Sequence, residues 1–153
     1  MKQRWIRVGL LALAIVVINV VSRFVTSQVE LSVEAEDRIG LIAILVVAAL
    51  LVGATAWWAI KFPFTRAFAD LGAATIVAAL VSLVVGPFAA GKKPFEEGLA
   101  LFVGEFLMFL GVAAVGALLG FLGVVALGKD WKSRGLRRYE ERYSRRPHRS
   151  VRG

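Results

Sequence analysis

The sequence contains no cysteine and only one histidine, His148. Without cysteine there is no disulfide framework, no thiolate ligand for a metal ion and no cysteine redox chemistry. The chain also lacks a serine, histidine and aspartate set for nucleophilic catalysis, paired carboxylates within its apolar runs, and any cluster with metal-ligand spacing. We therefore predict a protein without enzymatic activity, without a bound metal ion and without a cofactor.

Charged residues are almost missing from four long apolar runs, at residues 5–25, 39–60, 67–85 and 99–127. Each run approaches or exceeds the ~20 residues that a helix needs to cross a bilayer. Hydrophobic residues make up 58% of the chain and the mean hydropathy is +0.72, so little remains for a soluble domain. The sequence predicts an all-α integral membrane protein, a bundle of four transmembrane helices within residues 1–128, followed by a basic tail at 129–153.

Lysine and arginine are distributed unevenly between the two ends of these runs. Fifteen of them fall in the N-terminus, the 61–66 loop and the tail, whereas four fall on the opposite side, at Arg23, Arg38, Lys92 and Lys93. Short cytoplasmic loops retain an excess of these residues, so we predict a multi-pass protein of the cell membrane with both termini in the cytoplasm. Thirteen arginines against six lysines, with many alanines, glycines and valines, indicate a GC-rich bacterial genome, so we predict the bacterial inner membrane.

The first run also has features of a secretory signal peptide, since a basic start precedes the apolar or small residues 8–22. A cleavage site needs small residues near the end of such a segment, where this chain has Arg23, Phe24 and Val25. We therefore predict that the first helix is retained. Cleavage would instead leave three spans and an N-terminus on the outside.

Residues 26–38 are compatible with two structures. Apolar residues at 29, 31, 33 and 35 alternate with polar ones, as in a strand. Ser32 followed by Glu34 and Glu36 is equally typical of a capped first helical turn, where the helix dipole favours acids. We favour a helix that extends the second span outward, because a lone strand would have no partner in so small a chain.

The fourth run carries small residues along one face. At ~100° per residue, Glu105, Gly116 and Gly123 fall on one stripe, with Gly120 beside it. Small residues allow helices to approach closely in lipid, so we predict that Gly116, Gly120 and Gly123 pack against another helix. Weaker small-residue stripes occur in the third and second runs, at Ala74, Ala78 and Ser82 and at Ala49 and Gly53.

Glu105 is the only ionisable residue of the fourth run and has two interpretations. It fits an acid at the membrane interface that pairs with a basic residue of the same side, either Arg23, Lys92 or Lys93. Alternatively, an acid within the membrane is a candidate for coupling ion or substrate movement. We favour the ion pair.

Two further polar residues lie inside the predicted spans. Asn19 is predicted to donate a hydrogen bond between helices, which is more common than a ligand-binding role. Asp70 follows Arg66 by four residues in the first turns of the third helix, so the helix dipole and an i, i+4 ion pair both favour its charge.

The tail contains ten basic residues and three acids. Leu136, Tyr139 and Tyr143 recur at helical spacing, so residues 134–146 are predicted to form a helix along the membrane interface. The positive charge of the tail has two explanations. It is the excess of basic residues that keeps a segment in the cytoplasm, and it is also suited to contact with anionic lipid headgroups or with a protein partner. The arginines available for such contact are Arg134, Arg137, Arg138, Arg142, Arg145 and Arg146. Nucleic acid is disfavoured, because no nucleic-acid-binding motif accompanies the charge.

The size and topology are similar to those of the bacterial four-span small multidrug exporters. Such proteins rely on an acid buried in the first helix, where this chain offers only Asn19. We therefore assign no family.

Two functions remain as hypotheses. The favoured one is a small non-catalytic membrane protein that serves as an accessory or scaffold subunit of a membrane assembly, bound to another membrane protein or to itself. The alternative is a small homo-oligomeric transporter or channel that uses Glu105, which then has to face a cavity. A membrane anchor or regulator whose tail is displaced electrostatically is compatible with the first hypothesis.

Overall fold

The computed structural model describes residues 2–28, 32–93, 95 and 98–144. These residues form five helices and no strand: α1 (Lys2–Gln28), α2 (Val33–Lys61), α3 (Phe64–Ala89), α4 (Leu99–Ala126) and α5 (Trp131–Ser144). Helices α1 to α4 are long and apolar enough to cross a membrane. The prediction of an all-helical chain with four such helices is therefore confirmed, and the fold suits a multi-pass membrane protein.

The four long helices alternate in direction. The starts of α1 and α3 meet through Arg4 and Asp70, and the end of α1 meets the start of α4 through Arg23 and Glu105. We call the end where α1 and α3 begin the basic end. Helix α1 packs mainly on α3, and α2 packs mainly on α4.

Small side chains on α3 allow α1 to approach it closely. Ala74 and Ala78 are completely buried and Ser82 is nearly so, which fits the stripe predicted for the third span. The stripe predicted for the second span does not pack within the chain, because Ala49 and Gly53 are exposed. Helix α2 instead buries a row that repeats every four residues, Ala43, Val47, Leu51 and Thr55.

The outer surface of the bundle is strongly apolar. Leu10, Leu13, Ile42 and Leu107 are each more than half exposed, as are many other large aliphatic and aromatic residues. A continuous apolar surface of this kind is unfavourable in water and favourable against lipid tails. The four long helices therefore have both the length and the surface of membrane-crossing segments.

The helical interpretation of the segment before α2 is confirmed for the residues described there, but the Ser32 side chain makes no capping hydrogen bond. Helix α2 begins at Val33, and the Ser32 carbonyl accepts hydrogen bonds from the N–H groups of Ala35 and Glu36. Glu34 and Glu36 occupy the first turn, where the helix dipole favours acids. Residues 29–31 lie outside the described residues.

Helix α3 ends later than the sequence predicts. The third apolar run ends at Val85, just before Gly86 and Pro87, but α3 continues to Ala89. Proline removes one backbone N–H from the helix. The helix nevertheless continues for two residues, since the Ala90 N–H bonds the carbonyls of Gly86 and Pro87 at 3.3 and 3.0 Å.

Helix α5 follows a turn at Gly128, whose φ of +60° favours glycine. The Asp130 carboxylate caps the helix, because its Oδ2 accepts the N–H groups of Lys132 and Ser133 at 3.2 Å each. Hydrogen bonding from the side chain and backbone of Ser133, with a further bond from the Lys132 N–H, lowers the pKa of this carboxyl. None of the described residues of α5 is buried, and the helix begins three residues before the one predicted at 134–146.

Candidate functional site: charged clusters at both ends of the bundle

Asp70 is the centre of a polar cluster at the basic end. Its side chain is only 4% exposed. The Arg4 Nε–H donates to Asp70 Oδ1 at 2.7 Å, and the Trp58 indole N–H donates to Oδ2 at 3.3 Å. The i, i+4 partner that the sequence predicts, Arg66, is more distant, with its Nε 4.0 Å from Oδ2. The main partner therefore comes from α1, which the spacing within α3 cannot reveal.

Other cations at the basic end lie against aromatic rings. The Lys61 Nζ is 4.3 Å from the centroid of the Trp57 ring, and the Arg7 guanidinium is 5.2 Å from the same ring. The Arg66 guanidinium lies 4.4 Å from the Phe62 ring. Cations are attracted to the faces of aromatic rings, and tryptophan is enriched at membrane interfaces. These contacts hold positive charge at one level of the bundle.

Glu105 lies at the opposite end and forms an ion pair. The Arg23 Nη2 donates to Glu105 Oε2 at 2.6 Å, and the two side chains are 35% and 40% exposed. Arg23 is one of the three basic residues that the sequence offers as partners of Glu105. Cavities of about 220 and 710 Å³ open beside the pair, and Arg23 lines both.

Gly86 provides the space for Arg23 to reach Glu105. A Cβ atom on Gly86 would lie 2.8 Å from the Arg23 Cδ. The Arg23 side chain therefore crosses α3 at Gly86, and a larger side chain at this position would displace it. From the sequence, Gly86 looks like a helix-ending residue, and nothing in the local pattern indicates this contact.

Both arginines that make these ion pairs belong to α1. Arg4 and Arg23 are 19 residues apart, a rise of about 28 Å along a helix. The hydrocarbon core of a bilayer is ~30 Å thick. Between them α1 buries apolar side chains, including Val8, Leu11 and Ile15. The two ion pairs therefore have the spacing of the two membrane interfaces and join α1 to α3 at one level and to α4 at the other.

Asn19 does not make the interhelical hydrogen bond that we predicted. Its side-chain amide donates to the Ile15 carbonyl of the same helix at 3.0 Å. This carbonyl is one turn earlier, where a short side chain of α1 can reach it without a partner helix. Asn19 also lines the larger of the two cavities beside Arg23.

Gly116 and Gly120 lie where α4 contacts α2. A Cβ on Gly116 would be 3.1 Å from the Ala48 carbonyl oxygen, and one on Gly120 would be 2.4 Å from the Val52 carbonyl oxygen. Gly123, which was predicted to share this face, does not pack within the chain, because it is exposed and a Cβ there would meet nothing within 4 Å. The contact follows an i, i+4 row through residues 116, 120 and 124, which turns Gly123 away from α2.

The arginines predicted to contact lipid or a partner are separated by the fold. Arg134 and Arg138 line a cleft of about 460 Å³ between α5 and the end of α2, together with Lys61. Arg137 lies against the Gly128 turn instead, with its Nη2 3.2 Å from the position of a Cβ there. Arg142 is exposed beyond this cleft. The remaining two, Arg145 and Arg146, lie outside the described residues.

A second cleft lies between α3 and α4 and was not predicted. Its volume is about 270 Å³, and small residues contribute much of its lining, including Gly72, Ala114 and Ala117. Leu51 of α2 and Thr75 of α3 also line it. The hydropathy pattern gives no sign of this cleft, because the cleft depends on how α3 and α4 diverge.

Within the described residues, no group of three or more histidine, cysteine, aspartate or glutamate side chains could hold a metal ion. Comparison with known proteins gives no match to a family model, a curated protein or a solved structure. The functional interpretation therefore depends on the geometry of this chain.

Proposed function

We propose that this chain is a small non-catalytic protein of the bacterial inner membrane that serves as an accessory or scaffold subunit of a larger membrane assembly. Its partner is another membrane protein, which contributes a transmembrane helix to the cleft between α3 and α4. This cleft is the observation that carries the proposal. The basic tail adds contact with anionic lipid headgroups at the cytoplasmic surface of the membrane.

The lining of the α3–α4 cleft favours a helix as its occupant. Helices associate in lipid mainly through close packing, which small residues permit. Gly116 and Gly120 already contact α2 within the chain, so they are not available to a partner. Gly72 is available, since a Cβ there would meet nothing within 4 Å. The α3–α4 cleft is therefore a better candidate for association than the helix-four glycines.

The charged residues of the spans favour a structural role over transport. Asp70 and Glu105 are each paired with an arginine of α1, and the residues between the two pairs are mainly apolar. A homo-oligomeric transporter or channel that uses Glu105 would have to break its contact with Arg23. Such a transporter would use the cavities beside Arg23. The ion pair between Arg23 and Glu105 favours a structural contact between α1 and α4 over a path for ions through these cavities.

We infer that the basic end faces the cytoplasm. This end contains basic residues of the bundle, Arg4, Arg7, Lys61 and Arg66. Helix α5 lies beside the end of α2 and is therefore at the same end. The positive-inside rule places such a concentration of cations on the cytoplasmic side. Both termini would then be cytoplasmic.

Substitution of Gly72 by leucine tests the proposed interface. The new side chain fills the α3–α4 cleft without meeting another atom of this chain at its Cβ. Gly53→Leu is a matched control, because Gly53 is eight residues from the end of α2 and Gly72 is eight residues from the start of α3. Gly53 is exposed and lies outside the cleft, and a Cβ there also meets nothing.

The measurement is purification of tagged full-length protein in a gentle detergent, with the native mass and stoichiometry of the complex. We expect the wild-type chain and Gly53→Leu to retain the same stoichiometric membrane partner, and Gly72→Leu to lose it while remaining folded. Retention of the partner by Gly72→Leu, or a wild-type protein that purifies alone as a homo-oligomer, contradicts the proposal. The second result favours the transporter.

A further inference from the structure

The cleft between α5 and the end of α2 concentrates positive charge. Its lining contains Lys61, Arg134 and Arg138, and no acidic side chain among the described residues. Within α5, Trp131, Arg134 and Arg138 share a face because they are three and four residues apart. The cleft has a volume of about 460 Å³ and opens where α2 ends.

The position of this cleft corresponds to the headgroup layer of a bilayer. Lys61 is the last residue of α2, and its Nζ lies 4.3 Å from the Trp57 ring centroid. Trp131 lines the same cleft and is half exposed. Tryptophan side chains are enriched at the membrane interface, and basic pockets on the cytoplasmic side of transmembrane helices bind lipid headgroups.

We propose that this cleft is a binding site for the phosphate diester of an anionic phospholipid. The Arg134 and Arg138 guanidinium groups supply planar, paired donors that match phosphate oxygens, and the Lys61 ammonium supplies a third positive charge. The lipid tails remain in the bilayer beside α2. This inference rests on the proposed contact between the tail and anionic lipid, and it assigns that contact to one cleft rather than to the charge of the whole tail.

Gly135 makes this assignment testable without a change of charge. It lines the cleft between the two arginines, and a Cβ there would meet nothing within 4 Å. Glycine is less favourable than alanine or leucine in an exposed helix. Gly135→Leu therefore favours the helical state of α5 while its side chain takes up space in the cleft.

The experiment measures lipid binding to the full-length protein in detergent micelles by native mass spectrometry. The probes are phosphatidylglycerol, phosphatidylcholine and inorganic phosphate. We expect the wild-type protein to bind phosphatidylglycerol in preference to phosphatidylcholine. Gly135→Leu, which occupies space in the cleft, and the double variant Arg134→Gln/Arg138→Gln, which removes two charge-assisted contacts, should each weaken phosphatidylglycerol binding by about tenfold or more.

Arg137→Gln is the matched control. It removes one charge from the same helix at a position that does not line the cleft, and Arg138→Gln alone removes one charge from the lining. We expect Arg137→Gln to retain most of the binding that Arg138→Gln loses. Circular dichroism and gel filtration of each variant verify that the chain is folded.

Three results would overturn the assignment. Equal weakening by Arg137→Gln and Arg138→Gln, with no effect of Gly135→Leu, means that the tail attracts lipid by its general charge. Displacement of phosphatidylglycerol by inorganic phosphate at equal concentration assigns the cleft to free phosphate. Absence of any preference for phosphatidylglycerol contradicts both the cleft and the wider tail–lipid contact.

Discussion

Arg4 and Asp70 form a pair whose two members have very different surroundings. Asp70 is 4% exposed, whereas Arg4 is 38% exposed and can turn towards water when its partner is lost. Removal of one member of a buried pair is costly mainly because the other charge is left without compensation. Removal of the Arg4 charge and removal of the Asp70 charge should therefore lower the free energy of unfolding by different amounts.

We predict that Arg4→Ala lowers the free energy of unfolding by about 3 kcal/mol and that Asp70→Asn lowers it by only about 1 kcal/mol. In Arg4→Ala the Asp70 carboxylate keeps the Trp58 N–H and the more distant Arg66. Reversible unfolding of the full-length protein in mixed micelles provides the measurement. The double variant should resemble Asp70→Asn alone, and equal losses for the two single variants would contradict the argument.

Single residues also show where sequence reasoning reaches its limit. The sequence shows that Asp70 is an acid near the start of a span. It does not show that its partner is Arg4, which is 66 residues away along the chain. The sequence also shows that Gly86 precedes a proline. Its contact with Arg23 could not be predicted, because it depends on the packing of α1 against α3. Local patterns identify polar residues inside spans, and tertiary packing decides what those residues contact.

The contact between α4 and α2 leads to a prediction about two glycines of one helix. A Cβ on Gly120 would lie 2.4 Å from the Val52 carbonyl oxygen, a backbone atom that cannot rotate away. We predict that Gly120→Ala lowers the free energy of unfolding by about 2 kcal/mol through overpacking. Gly123→Ala, three residues later in open space, should leave it unchanged or raise it slightly. The same micelle titration compares both, and equal stabilities would show that α4 does not approach α2 this closely.

The start of α5 depends on the charge of Asp130. The pKa of its carboxyl is lowered, so the capping interaction stabilises the folded helix above the unfolded pKa of about 4 and is lost as the pH falls through the lower folded value. Asp130→Ala should cost the helix about 1 kcal/mol at neutral pH, whereas Asp130→Asn should keep most of the cap. Hydrogen exchange of the 131–144 amides, measured at neutral pH for all three proteins, checks this order. Faster exchange in Asp130→Asn than in Asp130→Ala contradicts it.

Whole helices were more predictable than their arrangement. The four runs correspond to α1 to α4 with shifts of a few residues, because hydropathy over about 20 residues reports directly on membrane-crossing length. The pairing of α1 with α3 and of α2 with α4 was not predictable, since lipid-facing and buried positions are both apolar in these helices. This is why Gly123 was assigned to the packing face and why the α3–α4 cleft was missed.

The absence of cysteine allows the orientation of the whole molecule to be measured directly. A single cysteine at any exposed position is the only thiol in the chain. Ser32 precedes α2 at the end opposite the basic end, and Ser144 ends α5; both are exposed. Since the positive-inside rule places the basic end in the cytoplasm, a membrane-impermeant maleimide applied to intact cells should label Ser32→Cys and spare Ser144→Cys. Ser144→Cys should react only after the membrane is opened, which also controls for its reactivity. Labelling of Ser144→Cys in intact cells would reverse the orientation and place the lipid-binding cleft on the outer surface.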